Sequence, residues 1–219
     1  MKSTRLHFLI TAGGTREYID PVRFITNASS GKMGFALANA ALKAGHKVTL
    51  ITTVKDLKFK IENLKLCKVE TAGEMFEAVK KCFAKYDCLI MAAAVSDYTP
   101  VKKSKIKIKK SKSNLTIKLK PTSDILKWAG KSKKKNQIVA GFALEDRNLR
   151  KNAEKKLKDK NLDMIIANTP LVIGNENAEV QTKTTSGKWI KMQSAGKTAI
   201  AGQIIHLMET LCSRIPKSH

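Results

Sequence analysis

Two periods of apolar residues alternate along the chain. Residues 6–13, LHFLITAG, form a short apolar run that ends at glycine, the pattern of a strand buried on both faces. Residues 32–44, KMGFALANAALKA, are rich in alanine and leucine and stop at Gly45, which marks a helix with a glycine after its end. A second strand follows at 47–53, then an amphipathic helix at 73–86 and a fully apolar strand at 87–95, DCLIMAAAV. Later the alternation resumes, with a capped helix at 123–130, a strand at 137–143, a polar helix at 146–160 and a strand at 162–168. A hairpin around Ser186-Gly187, from strands at 178–184 and 188–193, precedes a closing helix at 194–215. Apolar strands that alternate with helices predict an α/β fold, a mostly parallel sheet with a helical layer on each face. Such sheets bind ligands beyond the carboxyl ends of their strands.

One stretch breaks the pattern. IKIKK (106–110) and LTIKLK (115–120) alternate apolar and basic residues around Ser-Lys-Ser-Asn, which predicts a β-hairpin or an extended flap at about 101–121. In that register Lys107 and Lys109 share one face, opposite Ile106 and Ile108. Little apolar area holds such a flap down and its like charges repel, so disorder is expected when it is open. No repeat or low-complexity linker divides the chain, and residues 1–219 read as one domain.

Charge adds a partner question. The chain carries 42 Lys+Arg against 18 Asp+Glu, a formal net charge of +24. Fourteen of the lysines fall in residues 101–135, with Asp124 as the single acid there. Such a run can bind nucleic acid, a membrane surface or a multiply charged anion. Only Trp128 interleaves it, so the stacking platforms of a single-strand binder are missing and no specific nucleic acid is expected. No apolar run approaches the ~20 residues that span a bilayer. The start, MKSTRLHFLITAGG, lacks the apolar region and cleavage site of a signal peptide. A soluble, cytoplasmic protein is expected. Cys67, Cys82, Cys88 and Cys212 show no C-x-x-C spacing and the four histidines no cluster, which points to reduced, packed thiols.

The chemistry concentrates just after strands. Residues 11–34, TAGGTREYIDPVRFITNASSGKMG, are too long for an ordinary loop. They bring Gly13 and Gly14, the cations Arg16 and Arg23, Asn27, and a helix start at Ser29-Ser30-Gly31-Lys32, a setting that favours a phosphate. AAAVSDYTP (92–100) offers a flat alanine surface and Asp97 at a strand end. The flap lysines can close over phosphates. After VAGFALEDRN (139–148), Lys156 and Lys160 share a helix face that can grip a triphosphate.

Two nucleotide folds are disfavoured. The G-x-G-x-x-G fingerprint is absent, and Thr52-Thr53 stands where a dinucleotide fold has its ribose-binding acid. Tyr98 and Lys102 have the spacing of a short-chain dehydrogenase pair, but Pro100 between them opposes the helix they need. Gly31-Lys32-Met33 lacks the Ser/Thr of a P-loop. An NAD(P)-dependent oxidoreductase and a basic nucleic-acid-binding protein remain the alternatives.

TAGGTRE, IDPVRFITN, SSGKMG, AAAVSDY, KIKK, SDIL, GFALE and NLDMIIAN, in that order, resemble the phosphopantothenate–cysteine ligase family over nearly the whole chain. The resemblance is to the free-standing form rather than the fusion behind a flavin-dependent decarboxylase. It implies a Rossmann-like three-layer fold and a homodimer. It also implies a reaction in which 4′-phosphopantothenate, L-cysteine and CTP give 4′-phosphopantothenoylcysteine, CMP and pyrophosphate through an acyl-cytidylate. By motif position Asn27 and Lys107 are the catalytic pair. Arg23, Gly31, Lys32, Ala93 and Ala94 fall on substrate-binding positions. Gly13, Gly14, Asp97, Lys107, Ser123, Asp124, Ile125, Leu126, Phe142, Lys156 and Lys160 fall on nucleotide-binding ones. Mg²⁺ is expected with the CTP, held by the phosphates rather than by a dedicated cage. One departure lies at Pro121-Thr122-Ser123, where the family has Thr-Pro or Asn-Pro before Asp-Ile-Leu.

Overall fold

The strand β1 (His7–Ala12) has five of its six residues buried, in keeping with its unbroken apolar run. It pairs in parallel with β4 (Lys47–Thr52) on one side and β6 (Cys88–Met91) on the other. From there the sheet extends through β5 (Leu64–Lys68) at one edge and through β9 (Ile138–Leu144) and β10 (Met164–Asn168) on the other side, all parallel. Two antiparallel strands, β11 (Val180–Thr184) and β12 (Ile190–Met192), complete eight strands in the order β12-β11-β10-β9-β6-β1-β4-β5. The computed structural model describes residues 5–55, 62–169, 180–192 and 196–215. The expected start of the first strand of the late hairpin (178–179), the expected end of its second strand (193) and the expected start of the last helix (194–195) lie outside them.

Strand alternation sorts the core into two halves. Phe8 and Ile10 face α1 (Lys32–Lys43) and α5 (Lys197–Ser213), whereas Leu9 faces the layer of α2 (Ala72–Phe83), α3 (Ile125–Ser132) and α4 (Leu149–Asp159). The result is a three-layer, Rossmann-like α/β fold. In α1 the buried positions Gly34, Leu37, Ala38 and Ala41 follow helical spacing. Gly34 lets this helix lie directly on β1, because a Cβ there would come within 2.5 Å of Ala12 Cβ and 2.9 Å of the Thr11 carbonyl oxygen. Gly34→Ala is therefore expected to lower the unfolding free energy by about 1–3 kcal/mol in urea titration. An unchanged midpoint would mean that the helix slides freely on the strand.

Four elements differ from the sequence reading. The long segment after β1 carries a small ribbon, β2 (Arg16–Tyr18) against β3 (Phe24–Thr26). The edge strand β5 went unread, since its half-buried Leu64 and Leu66 alternate with exposed lysine too briefly to stand out. The basic segment forms no hairpin of its own. Instead β8 (Leu119–Pro121) pairs antiparallel with β7 (Tyr98–Pro100), and 101–118 run out from this ribbon as an arm. The alternating register fails because it offers its apolar face no cover: Ile106 remains 76% exposed and Leu115 56%. The polar helix opens three residues later than expected, at Leu149, after Asn148 in the left-handed region.

After β1 the chain builds β4 and β5 on one side, then crosses to β6 on the other. The crevice at their carboxyl ends, between β1 and β6, is the switch point where such sheets take ligands. Among the described residues no helix is long and apolar enough to cross a membrane.

Candidate active site

At the switch point two loops are stitched together by backbone. The Ala94 N–H donates to the Gly13 carbonyl at 2.8 Å and the Thr15 N–H to the Ala94 carbonyl at 3.2 Å, and Gly14 and Ala94 form a parallel bridge. Buried Thr15 accepts the Ser96 N–H at 2.9 Å through Oγ1, and its carbonyl accepts the Thr26 hydroxyl at 2.7 Å. Ala93 donates its N–H to Thr11 Oγ1 at 3.1 Å. Gly14 must be glycine here, because a Cβ would stand 2.6 Å from the Asn27 carbonyl oxygen. Asn27 itself reaches across the crevice, its Nδ2 donating to the Val95 carbonyl at 3.1 Å. One amide hydrogen is thus committed and the other stays available.

The start of α1 closes one side. Gly31 is its N-cap at φ 75°, and no side chain caps the first turn. The first N–H groups of a helix have no partner within it, so this end favours an anion. Lys32 stands exposed beside it.

A polar clamp ties the basic arm to the loop between β2 and β3. Asp20, fully buried, accepts the N–H of Val22 at 2.9 Å and of Arg23 at 2.8 Å on Oδ1, and that of Ile108 at 3.1 Å on Oδ2. Arg23 pairs with Asp20 Oδ2 at 3.0 Å and also donates to the Ile108 carbonyl. Burial pushes the Asp20 carboxyl up, but the N–H groups of Val22, Ile108 and Arg23 and the Arg23 charge outweigh it and hold it below the usual range. Ser104 donates its N–H to the Ile19 carbonyl at 2.9 Å. The flap is therefore held here by polar contacts. Lys107 and Lys109, on either side of Ile108, are exposed.

Across the crevice lie the α4 lysines. Lys156 donates to the Phe142 carbonyl at 2.7 Å, and Lys160 pairs with Asp124 at 2.8 Å. Burial pushes the Lys156 ammonium down and Lys160 adds to this, against the pull of Glu145, Asp124 and Asp97. A half-buried cation so placed gains from an arriving anion. Burial pushes Asp124 up, but Lys160, the Lys127 N–H and the Lys156 charge overcome it and lower its pKa. Asp124 is also the N-cap of α3, accepting the Lys127 N–H at 2.9 Å, while Ser123 is exposed and does not cap. Thr122 bridges this turn to the β6 loop, donating its hydroxyl to the Ser96 carbonyl at 2.6 Å and its N–H to the Asp97 carbonyl at 2.9 Å.

A model of the DNA/pantothenate metabolism flavoprotein C-terminal domain family matches residues 3–211. The chain belongs to this family. The coenzyme A biosynthesis bifunctional protein CoaBC of Bacillus subtilis strain 168 is 48% identical over 162 residues, 74% of this chain and 40% of that protein. A protein named cysteine/cysteine sulfinic acid decarboxylase, from an unidentified prokaryote, is 43% identical over 206 residues, 92% of this chain and 57% of its own length. The chain thus spans about half the length of these curated relatives. A crystal structure of the CoaBC C-terminal domain matches with a TM-score of 0.82 at 35% identity, covering 97% of this chain and 99% of that one. This bears out the family resemblance and the fold class read from the motifs.

Gly13, Gly14, Asn27, Ala93, Ala94 and Asp97 meet at the switch point. Arg23 and the Lys107 arm join them through Ile108, and Lys156, Lys160, Asp124 and Phe142 form the facing side. Ile125 and Leu126 are 3% and 7% exposed, so their side chains belong to the core and only their backbone can meet a ligand. Among the described residues no three His, Cys, Asp or Glu side chains converge to hold a metal ion. Sequence reasoning missed Thr15, Thr122 and Asp20. For Asp20 there was a signal, an Asp-Pro-x-Arg turn in which an aspartate accepts N–H groups two and three residues on.

Proposed function

We propose that this chain ligates 4′-phosphopantothenate to L-cysteine at the expense of CTP, in coenzyme A biosynthesis. What carries the reading is one junction: Asn27 bonded across the β1/β6 crevice, on a loop whose Arg23 holds the lysine arm. A carboxylate can lie there between an uncapped helix start and a cationic flap, facing a nucleotide set by Lys156 and Lys160.

In the first step a carboxylate oxygen of 4′-phosphopantothenate attacks the CTP α-phosphorus. The bond to the bridging oxygen breaks and pyrophosphate leaves. Arg23, Gly31, Lys32, Ala93 and Ala94 position the acid, while Lys107 and Lys156 offset the charge that shifts onto pyrophosphate. In the second step the cysteine amine attacks the acyl carbon, CMP leaves with the electron pair, and the amine loses a proton. Asn27 donates to the acyl oxygen as charge builds there. Mg²⁺ would come with the triphosphate and supply charge neutralisation there, and Asp97, exposed beyond β6, would face it through water.

The deciding experiment measures pyrophosphate release with CTP or ATP. We expect release that depends on 4′-phosphopantothenate and is faster with CTP, since small residues and backbone at 92–97 shape the base pocket. Equal or faster turnover with ATP would reverse the nucleotide preference. No release with either would remove the ligase reading.

The proposal includes a homodimer working in the cytoplasm. In and beside the ribbons β2–β3 and β7–β8, Val22, Tyr98 and Val101 are 56%, 55% and 48% exposed, apolar side chains that a second copy would cover. Light scattering at micromolar concentration is expected to give twice the chain mass. A fully active monomer would contradict it.

A further inference from the structure

We propose that Asp20 is a positioning residue for the flap: with Arg23 it grips the backbone of Ile108 and so sets where Lys107 and Lys109 stand over the nucleotide. The inference rests on the nucleotidyl-transfer reading of the site, but its structural half can be tested without any substrate.

Asp20 is an acid with no exposed surface, in a loop whose following residues 21–24 are all exposed. A carboxylate is buried at a cost unless its oxygens are satisfied, and here both are. Oδ1 is used up locally by the N–H groups of Val22 and Arg23, which shape the turn. Oδ2 points away from the turn to the Ile108 N–H, 88 residues along the chain. Arg23 Nη2 bridges Asp20 Oδ2 and the Ile108 carbonyl. Both backbone polar groups of one flap residue are thus met by side chains of another element, as a neighbouring strand would meet them.

The flap needs such a hold. It forms no hairpin, its Ile106 and Leu115 find no cover, and Lys105, Lys107, Lys109 and Lys110 repel one another. Asp20 therefore offers a fixed point of opposite charge. The grip at residue 108 leaves the stems of Lys107 and Lys109 free to move but pins their Cα atoms. Arg23 adds a link, because the same guanidinium lies at the position that meets the acid substrate. Asp20 itself touches no substrate in this arrangement.

Asp20→Asn keeps the shape of the side chain but turns an amide NH₂ toward the Ile108 N–H and the Arg23 cation. Ile108→Pro removes the donor from the flap side and leaves the 19–23 turn intact. Hydrogen exchange in each variant is expected to speed up by about tenfold or more at residues 104–110, while β1 and β6 keep their protection. Pyrophosphate release with CTP and 4′-phosphopantothenate is expected to fall by about tenfold or more in kcat, because small misplacements of a catalytic group are costly. KM for L-cysteine, which acts after that step, should stay within about twofold. The double variant is expected to be no slower than the slower single variant, the sign that both break one contact. Unchanged exchange at 104–110, or rate losses that multiply in the double variant, would overturn the proposal. A wild-type chain that releases no pyrophosphate would count against the ligase reading alone, since the exchange result decides the clamp without substrate.

Discussion

Lys107→Gln is expected to cut pyrophosphate release by at least about 10²-fold while leaving the fold and its thermal stability nearly unchanged. The asymmetry follows from where Lys107 sits. It is exposed, one residue before the clamped Ile108, so its substitution removes no packing and leaves the Asp20–Arg23 grip in place. Exposed substitutions of this kind usually cost less than about 0.5 kcal/mol. Its charge, however, is carried on an arm that the Asp20–Arg23 grip fixes, and in the proposed first step it offsets the negative charge that moves from the carboxylate to pyrophosphate. Glutamine is a shorter side chain that can still donate, but it carries no charge to match the shift. Formation of the acyl-cytidylate then slows by the same factor, and the second half-reaction waits on it. Single-turnover release of pyrophosphate from labelled CTP measures this directly. Release at the wild-type rate would make Lys107 ordinary surface charge and move the role to Lys109 or Lys110.

Asn27→Asp is expected to separate the two half-reactions. The variant keeps the size of the side chain but sets a carboxylate oxygen against the Val95 carbonyl, where the amide now donates at 3.1 Å. It also places negative charge beside the acyl oxygen just as that oxygen becomes negative during amine attack. Loss of one such donor is worth roughly 3–4 kcal/mol, about 10²–10³ in rate, and the added repulsion deepens the loss. Pyrophosphate should therefore appear in a burst of about one per site while amide formation lags and activated intermediate accumulates. Quenched reactions resolved by chromatography would show the intermediate. If pyrophosphate release fails as completely as amide formation, Asn27 belongs to the first step instead.

The two experiments probe opposite sides of one crevice, and the clamp joins them. Asn27 hangs from the ribbon strand β3, and Arg23, four residues earlier, holds the arm that carries Lys107. A defect at Asp20 is expected to resemble that of Lys107 more than that of Asn27, because the grip ends on the flap.

Much of the sheet was legible in the chain. β1, β4, β6, β9 and β10 are largely buried on both faces, so their runs are mostly apolar and need no partner to be recognised. Local signals also placed α1, α2 and α5, whose apolar positions recur at helical spacing. The location proposed for the chemistry comes from the same reading, since residues 13–14 and 92–97 fall beyond the carboxyl ends of parallel strands and Phe142 lies near the end of another.

What the chain alone left open are pairings between distant segments. The alternation at 106–120 was a sound signal for a strand, yet a strand needs both a ladder partner and cover for its apolar face, and neither is encoded locally. The fold instead paired Leu119–Pro121 with Tyr98–Pro100 and met Ile108 with two side chains from the first loop. Likewise the sequence placed Asp124, Ile125 and Leu126 in one motif. Burial then gave them different tasks, the acid to Lys160 and the helix cap, the two apolar side chains to the core. Periodicity records how one segment meets water and a core. Hydrogen bonds that span 68 or 88 residues depend on how the finished sheet brings its loops together, and only the tertiary structure decides them.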